Sequence, residues 1–294
     1  RAPLPPSLVA RLAAAREAGV RATDGGLKSD TADQMAGEGR LPLHLPRPNS
    51  FIPDDFAMLP APATPVDLAR PPLRLDAGSR GSPDLAGESS CGDGRVRLAH
   101  WHETEVGFGR PKAHVALAFA CSAGCTMLGA PASMILWLRL LDQRLSTALY
   151  PAYLAGLRWS LQPNNLGFDL HLCGFSQKLP ALAATLVQSV LRWDGDGFAP
   201  LFEPRREALV RSLRSHSKSR SDTLASYYLD LLLSPKRVPV PDRLAAAEEL
   251  TLNRLRDFHA AALARLGARL FTFGNLGTGG AVTLAEGIRR EMEA

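Results

Sequence analysis

The feature that most constrains the fold is a pair of alternating segments on either side of a short turn. In residues 157–162, Leu, Trp and Leu alternate with Arg, Ser and Gln, and residues 168–173 alternate in the same way. The turn at residues 163–165 reads Pro-Asn-Asn. Strict alternation places apolar side chains on one face of a strand, and a short turn joins antiparallel neighbours. The two segments therefore predict a β-hairpin within an antiparallel sheet.

Further strands and helices are predicted around this hairpin. Residues 97–102, 113–120 and 269–273 have strand character, and in 113–120 the larger apolar side chains share one face while smaller ones occupy the other. Helical spacing of apolar residues predicts helices at 134–150, from Pro180, at 205–216, 223–233 and 245–266, and from Ala281. The helices need a surface on which to bury their apolar stripes, so they should cover one face of the sheet. The predicted fold class is α+β, an antiparallel β-sheet backed by helices in a two-layer αβ sandwich.

Residues 1–95 differ in character from the rest of the chain. A short helix is predicted at 6–16, residues 41–60 are punctuated by prolines, and residues 25–39 and 77–94 are rich in glycine, serine and aspartate. Segments of the last kind bury little apolar surface and are typical of loops or disorder. We predict a partly disordered linker with the end of a preceding domain over 1–95, and one compact domain over 96–294.

Charge and composition exclude some classes of protein but identify no partner. The net charge is +5 and the pI is near 9.3, which makes the surface mildly basic. No apolar run approaches the ~20 residues needed to span a bilayer, and the first residues lack the apolar core of a signal peptide. The four cysteines have no spacing typical of a disulfide framework, which favours a reducing compartment. We expect a soluble protein without a membrane partner, intracellular and cytoplasmic.

Two short clusters are candidates for metal ligands. On a strand, His100 and His102 share a face, with Glu103 and Glu105 next to them, but no third ligand follows at a suitable spacing. We therefore interpret the two histidines as surface residues. Cys121 and Cys125 form half of a possible site without a second pair, and are interpreted as small buried residues at the end of a strand. The remaining histidines have no partner at zinc-ligand spacing: His44, His114, His171, His216 and His259.

Two other segments have both a functional and a structural interpretation. Residues 274–280 are glycine-rich between a strand and a helix, where an anion could bind, but they lack the lysine of a phosphate loop. A plain strand-to-helix turn is the preferred interpretation. Residues 205–220 contain six Lys or Arg residues, a possible nucleic-acid surface, but acidic residues dilute them and no aromatic residues interleave. A solvated helix face is preferred, and no nucleic-acid partner is expected.

The sequence contains none of the familiar catalytic motifs. A zinc peptidase helix needs two histidines one turn apart, with a glutamate beside them to activate water. Neither H-x-x-E-H nor H-E-x-x-H occurs in the 294 residues, and no G-x-S-x-G elbow or G-x-G-x-x-G follows a strand. The predicted sets of catalytic, cofactor-binding and metal-binding residues in this chain are therefore all empty.

Several segments nevertheless resemble a known family. Residues 48–56, Pro-Asn-Ser-Phe-Ile-Pro-Asp-Asp-Phe, resemble the P-N-x-F-I-P-x-x-F linker of insulysin, nardilysin and pitrilysin-type zinc metallopeptidases. Trp101 and residues 108–113, Phe-Gly-Arg-Pro-Lys-Ala, resemble the segment that opens their third domain. Residues 153–157 and 174–180 resemble the A-G-L and G-Y/F-x-x-K-x-P segments of the same domain. The match continues in order through these residues: Phe202, Arg211-Ser212-Leu213, Tyr227-Tyr228-Leu229 and Gly274-Asn275.

The resemblance implies a role within a larger enzyme. It covers residues from about 41 onward and implies that the chain is the middle (third) domain of a zinc metalloendopeptidase together with the preceding linker. This domain would be an inactive copy of the catalytic domain that helps wall a chamber around peptide substrates. Zinc would be bound by another domain of the parent, which carries the H-x-x-E-H motif, and no zinc ligand transfers to this chain. The expected partners are peptide substrates and the other domains of the same polypeptide. The alternative is a stand-alone, non-catalytic homologue that binds peptides or partner subunits.

Overall fold

The computed structural model of the protein describes residues 48–60, 72–75, 97–105, 109–121, 129–164, 166–234, 237–264 and 266–293. The helix predicted at 6–16 and the glycine-rich segments 25–39 and 77–94 lie outside these residues. The chain divides into two compact units, residues 1–49 and residues 50–294, and the helices and strands given below belong to the second. The domain boundary predicted at residue 95 stays a prediction.

The described residues form one six-stranded sheet. The strands are β1 (Leu73–Arg74), β2 (Arg97–Thr104), β3 (Lys112–Cys121), β4 (Arg158–Pro163), β5 (Gly167–Phe175) and β6 (Leu266–Gly274). Their order across the sheet is β1-β2-β6-β3-β5-β4. The predicted hairpin is β4 and β5, paired antiparallel with Leu161 opposite Leu170. Asn164 stabilises its turn, because its side-chain Oδ1 accepts hydrogen bonds from the amides of Leu166 (2.8 Å) and Gly167 (2.6 Å).

The sheet is mixed because one strand pair departs from the predicted antiparallel pattern. β2 and β6 run parallel, with His100 opposite Leu270, whereas the other four neighbouring pairs are antiparallel. β6 lies near the end of the chain and inserts between β2 and β3, and its direction could not be derived from a hairpin because no short turn joins it to either neighbour. The α+β class itself is confirmed.

Eight α-helices occur in the described part of the chain. They are α1 (Ala130–Ala148), α2 (Tyr150–Leu154), α3 (Leu179–Leu191), α4 (Gly195–Arg214), α5 (Ser221–Leu233), α6 (Val240–Glu248), α7 (Leu252–Leu263) and α8 (Thr278–Glu293). The single helix predicted at 245–266 is wrong, since α6 and α7 replace it. The break lies at Thr251, which has an extended backbone and caps α7 by accepting a hydrogen bond from the Arg254 amide at 3.3 Å.

The core lies between the sheet and the helices that cover one of its faces. Trp137 of α1 is fully buried and meets the ring of Phe168 edge-on at 5.2 Å, and Phe168 stacks on Phe119 at 4.7 Å. α4 begins ten residues earlier than predicted and tolerates two prolines in its interior. Burial of Phe198 and Phe202 in this N-terminal half offsets the hydrogen bonds that the prolines remove.

Candidate functional site

One face of the sheet is packed against helices, and no described helix packs on the other. Strand register places a row of side chains across this second face: Trp101 lies opposite Phe271, Phe271 opposite Ala116, Ala116 opposite His171, and His171 opposite Ser160. A neighbouring row contains Arg269, Ala118 and Asp169. We call this surface the uncovered face and define it by these residues: Trp101, Ala116, Ala118, Asp169, His171, Arg269 and Phe271.

A shallow depression lies at the centre of the uncovered face. Ala116 and Ala118 form its floor, because their methyl groups are much shorter than the side chains on either side. Its volume is about 220 Å³, and Phe271, which is 37% exposed, and His171 stand beside the floor. A surface of this kind offers an apolar recess with charged groups at its rim. It can receive a side chain of a bound peptide, but it contains no nucleophile with an adjacent base.

The outer edge of this face is reinforced by a short strand outside the predicted set. β1 pairs with β2 and places the Arg74 guanidinium over the Trp101 ring at 5.7 Å from its centroid. Contacts between a guanidinium and an indole face are attractive because the ring face carries negative charge. Trp101 is thus held between a cation on one side and Phe271 in the next strand.

The two histidines considered as metal ligands lie on the opposite face, under the helices. His100 is 4% exposed and His102 is 2% exposed, so their interpretation as surface residues is wrong. Both contact the Thr272 hydroxyl, with His100 Nε2 at 3.0 Å and His102 Nδ1 at 2.9 Å. His102 Nε2 is also 3.0 Å from Thr104 Oγ1, whose hydroxyl donates to the Leu276 carbonyl. Thr272 is the buried polar partner that the sequence pattern did not reveal.

The hydrogen bonds of this cluster form a consistent chain when both histidines are neutral. In that state His100 Nε2–H donates to Thr272 Oγ1, and His102 Nε2–H donates to Thr104. The Thr272 hydroxyl donates to His102 Nδ1, and the Trp101 carbonyl, at 3.4 Å, is its second acceptor. Burial lowers the pKa of His102, against smaller opposing effects of Thr272 and of the nearby Glu103 charge. If His102 Nδ1 were protonated, it could no longer accept a hydrogen bond from the Thr272 hydroxyl. The cluster is therefore a satisfied polar element of the core.

The described residues do not fit a zinc ion. Among them, no group of three or more His, Cys, Asp or Glu side chains is placed to hold a metal. Glu103 follows His102 directly on β2, and successive side chains of a strand point to opposite faces of the sheet. The Glu103 side chain therefore lies on the face opposite the two histidines. Cys121 is buried at the end of β3, as predicted for this residue, and Cys125 lies outside the described residues.

The remaining histidines lie apart from one another. His171 and His114 are on the uncovered side of the sheet, and His216 contacts the Tyr227 ring at 4.6 Å. His259 is buried, donates from Nε2 to the Val190 carbonyl at 3.1 Å, and has its pKa lowered by that burial. His44 lies outside the described residues.

The two segments with open interpretations both have structural roles. In residues 274–280, the Asn275 side chain binds the backbone of residues 57 and 59, so this turn is occupied by the protein's own chain. In the basic segment 205–220, three arginines pair with carboxylates, as follows: Arg206 with Glu203, Arg214 with Glu248, and Arg220 with Asp222. These ion pairs support the interpretation as a solvated helix surface.

A second exposed surface lies on α5. This helix buries none of its residues, and its apolar side chains recur at helical spacing on the outer side, where Leu232 is 83% and Leu233 is 72% exposed. Its inner side holds Tyr227, whose hydroxyl oxygen accepts a hydrogen bond from the Val240 amide at 2.8 Å. We call the outer side the α5 stripe and define it by Tyr228, Leu229, Leu232 and Leu233. A contiguous exposed apolar stripe is typical of a protein contact surface.

The described residues define an α+β domain with one mixed sheet, helices on one of its faces and an apolar depression on the other. The fold is that of part of pitrilysin, whose crystal structure matches with a TM-score of 0.68 and 20% identity, covering 86% of this chain and 24% of that one. A family model for the middle or third domain of peptidase M16 matches residues 26–246. The chain therefore belongs to the peptidase M16 family, as its middle or third domain.

Curated relatives agree with this family assignment. The insulin-degrading enzyme of Drosophila melanogaster is 28% identical over 258 residues, which are 86% of this chain and 23% of the relative. The human insulin-degrading enzyme is 27% identical over 79% of this chain and 21% of its own length. Insulin-degrading enzyme-like 1, peroxisomal, from Arabidopsis thaliana is 26% identical over 80% of this chain and 22% of its own. The chain thus spans less than a quarter of these relatives.

Among the described helices, none has the length and apolar character to cross a membrane.

Proposed function

We propose that this chain is the non-catalytic middle domain of a zinc-dependent metalloendopeptidase of the insulin-degrading-enzyme type. Its uncovered face would form part of the wall of a chamber in which peptides are bound and hydrolysed. The zinc ion would be held by another domain of the same polypeptide, where it activates water. The observation that carries the proposal is the uncovered face itself, an apolar recess with charged neighbours on a domain of a peptidase family.

The function that we propose for this domain is to position long peptide substrates. A wall domain contributes binding energy to remote parts of a long substrate, and that energy places the scissile bond at a distant catalytic group. The depression over Ala116 and Ala118 would receive a substrate side chain, and Arg269 and Asp169 would meet charged groups next to it. Short peptides, which are confined to the catalytic domain, would not reach this surface.

The test is a substitution that fills the depression in the full-length parent. In Ala116→Glu, kcat/KM for long peptides should fall by about tenfold, a loss of roughly 1.4 kcal/mol of binding. Short fluorogenic peptides should be cleaved at the parent's rate. Ala260→Glu, the same change at an exposed position of α7, is the matched control and should affect neither substrate. Equal losses on both substrates, or peptidase activity of the isolated chain, would contradict the proposal.

The other partners in this proposal are further domains of the parent. The α5 stripe supports this part, because an outward apolar stripe needs a covering surface and the relatives are about four times longer than their matched regions. We propose that one of those domains packs on the α5 stripe.

The cytoplasm stays the predicted compartment.

A stand-alone, non-catalytic homologue is the second candidate. It would bind peptides on the uncovered face and a partner subunit on the α5 stripe, and the same two surfaces support it. One observation distinguishes the two candidates. A reading frame that encodes H-x-x-E-H several hundred residues upstream of Arg1 would favour the first, and its absence would favour the second.

A further inference from the structure

Residues 50–60 lie against the domain at one end of the sheet without forming a helix or strand. Gln177, just before α3, contacts their backbone: its Oε1 accepts hydrogen bonds from the amides of Asp54 at 2.9 Å and Asp55 at 3.2 Å. One side-chain oxygen therefore satisfies two consecutive backbone donors. This pattern is independent of which side chains the two residues carry.

Asn275 contacts the same segment a few residues later. Its Oδ1 accepts from the Leu59 amide at 2.8 Å, and its Nδ2 donates to the Ala57 carbonyl at 2.9 Å. A primary amide presents the same donor and acceptor pair as a peptide bond, so Asn275 pairs with the segment as a neighbouring strand would. Two side-chain amides thus bind four backbone groups of one segment that forms neither helix nor strand.

Three side-chain contacts add to the backbone recognition. The Phe56 ring meets Phe175 edge-on at 5.3 Å, and Asp54 Oδ2 is 3.5 Å from Lys178 Nζ. Pro53 is buried, although the residues on either side of it are exposed. The aromatic contact and the buried proline fix the register of the segment, since a shift by one residue would separate both from their sites.

Contacts outside the segment also hold Asn275 in position. Gly274 has a φ of +124°, a conformation that L side chains rarely adopt, and a Cβ there would lie 2.6 Å from the Lys112 carbonyl oxygen. The Asn275 amide donates to that same carbonyl at 2.8 Å, and its side chain also donates to Ser176 Oγ at 3.3 Å. Asn275 is itself 8% exposed. Such preorganisation reduces the entropy that binding must overcome.

We propose that Phe175, Gln177, Lys178 and Asn275 form a docking groove for an extended peptide segment, and that residues 53–59 occupy it as a latch. The groove recognises the segment's backbone through two amides and its register through one aromatic ring and one proline. It binds a peptide and performs no chemistry. The proposal does not rest on the proposed function, because it concerns how the segment before the domain is held to it.

Amide hydrogen exchange on the full 1–294 chain tests the latch residue by residue. Asn275→Ala should speed exchange of the Leu59 amide by about tenfold, the order expected for one lost hydrogen bond, and leave Asp54 and Asp55 unchanged. Gln177→Ala should have the converse effect. Asn275→Asp retains an acceptor and should protect Leu59 better than alanine does.

Asn164→Ala is the matched control for these variants. It also removes an asparagine that binds two backbone amides, but in the β4–β5 turn, so exchange at residues 54–59 should not change. Far-ultraviolet circular dichroism checks that each variant is folded. Exchange in the wild-type chain as fast as in a free peptide at 54, 55 and 59, or no response to the Gln177→Ala and Asn275→Ala double substitution, overturns the proposal.

A second experiment tests the groove as a binding site. A fluorescein-labelled peptide of residues 50–60 should not bind the wild-type chain, because the tethered copy has a much higher effective concentration. It should bind a chain whose own latch is weakened by Phe56→Ala, and adding Asn275→Ala should abolish that binding, both measured by fluorescence anisotropy. Failure to bind the Phe56→Ala chain would show that the groove does not dock peptides.

Discussion

At the scale of single residues, Thr272 determines how two buried histidines are accommodated. Its hydroxyl oxygen lies 3.0 Å from His100 Nε2 and 2.9 Å from His102 Nδ1, and burial lowers the pKa of His102, which favours the neutral form of that ring. Burial of a neutral imidazole with all its nitrogens paired has little cost, whereas a buried unpaired charge has a large one. The cluster therefore makes stability sensitive to proton concentration.

We predict that the free energy of unfolding falls as the pH decreases through about 6.5, the ordinary pKa of histidine. The pKa of His102 is lowered in the folded chain by burial, as is that of His259, so below pH 6.5 the unfolded chain binds more protons. Stability then decreases with falling pH, by at most about 1.4 kcal/mol per pH unit for each histidine. Urea unfolding between pH 7.5 and 5 measures this slope.

The variant His102→Asn should lower stability at pH 7.5 but show a shallower slope. His171→Gln, on the uncovered face, controls for loss of a surface imidazole. A wild-type slope of zero, or an unchanged slope in His102→Asn, would disprove the prediction.

The same residues show what the sequence could and could not predict. Alternation along residues 97–102 correctly placed His100 and His102 on one face, because that follows from strand geometry alone. It could not show which face is buried, since the partner Thr272 lies 170 residues further along the chain. The sequence predicted part of the floor of the depression, because it assigned the smaller residues of 113–120 to one face of the strand. Its walls come from other strands and required the strand order.

At the scale of elements, local signals predicted helices and the hairpin but missed features set by contacts between distant segments. The parallel pairing of β2 with β6 depends on a long connection that contains β3 to β5 and α1 to α7, and no sequence motif encodes its direction. α4 extends over two prolines because buried phenylalanines stabilise it, a tertiary effect that outweighs propensity. The sequence predicted that a strand-to-helix turn follows β6, but it did not predict that this turn holds residues 57 and 59.

That turn yields a prediction about Gly274. Gly274→Ala should lower the free energy of unfolding by about 2–3 kcal/mol, because an added Cβ would lie 2.6 Å from atoms of Lys112 and Ala113 at a φ that alanine avoids. Gly287→Ala is the matched control. It lies inside α8 with open space around an added Cβ, and should stabilise the chain by about 1 kcal/mol. Urea denaturation measures both. Equal effects of the two substitutions would contradict the geometry of the turn.

At the scale of the whole molecule, the α5 stripe supports the proposal that another domain packs against this one. An amphipathic helix normally buries its apolar side, yet α5 turns that side outward and anchors itself through a tyrosine hydroxyl. The arrangement contributes little to the stability of the domain alone. Its apolar side chains gain free energy only when another surface covers them.

The stripe therefore predicts different effects in the isolated chain and in its parent. The double substitution Leu229→Ser and Leu232→Ser should change the unfolding free energy of 1–294 by no more than about 1 kcal/mol, since Leu232 is 83% and Leu229 is 55% exposed. In the parent the same change should lower the melting temperature, because covering two leucines is worth about 3 kcal/mol or more. Leu154→Ser, at an exposed leucine outside the stripe, is the control.

Calorimetry on the isolated chain and on the parent measures both effects. The results distinguish a stripe that is covered in the parent from one that stays exposed. A loss of stability in the isolated chain would mean that α5 already packs on its own domain, contrary to the geometry described. No loss in the parent would mean that its other domains leave the stripe uncovered, and the second candidate, a stand-alone homologue with a separate partner subunit, would then be favoured. A loss confined to the parent is expected, because only there would the proposed neighbouring domain exclude water from Leu229 and Leu232.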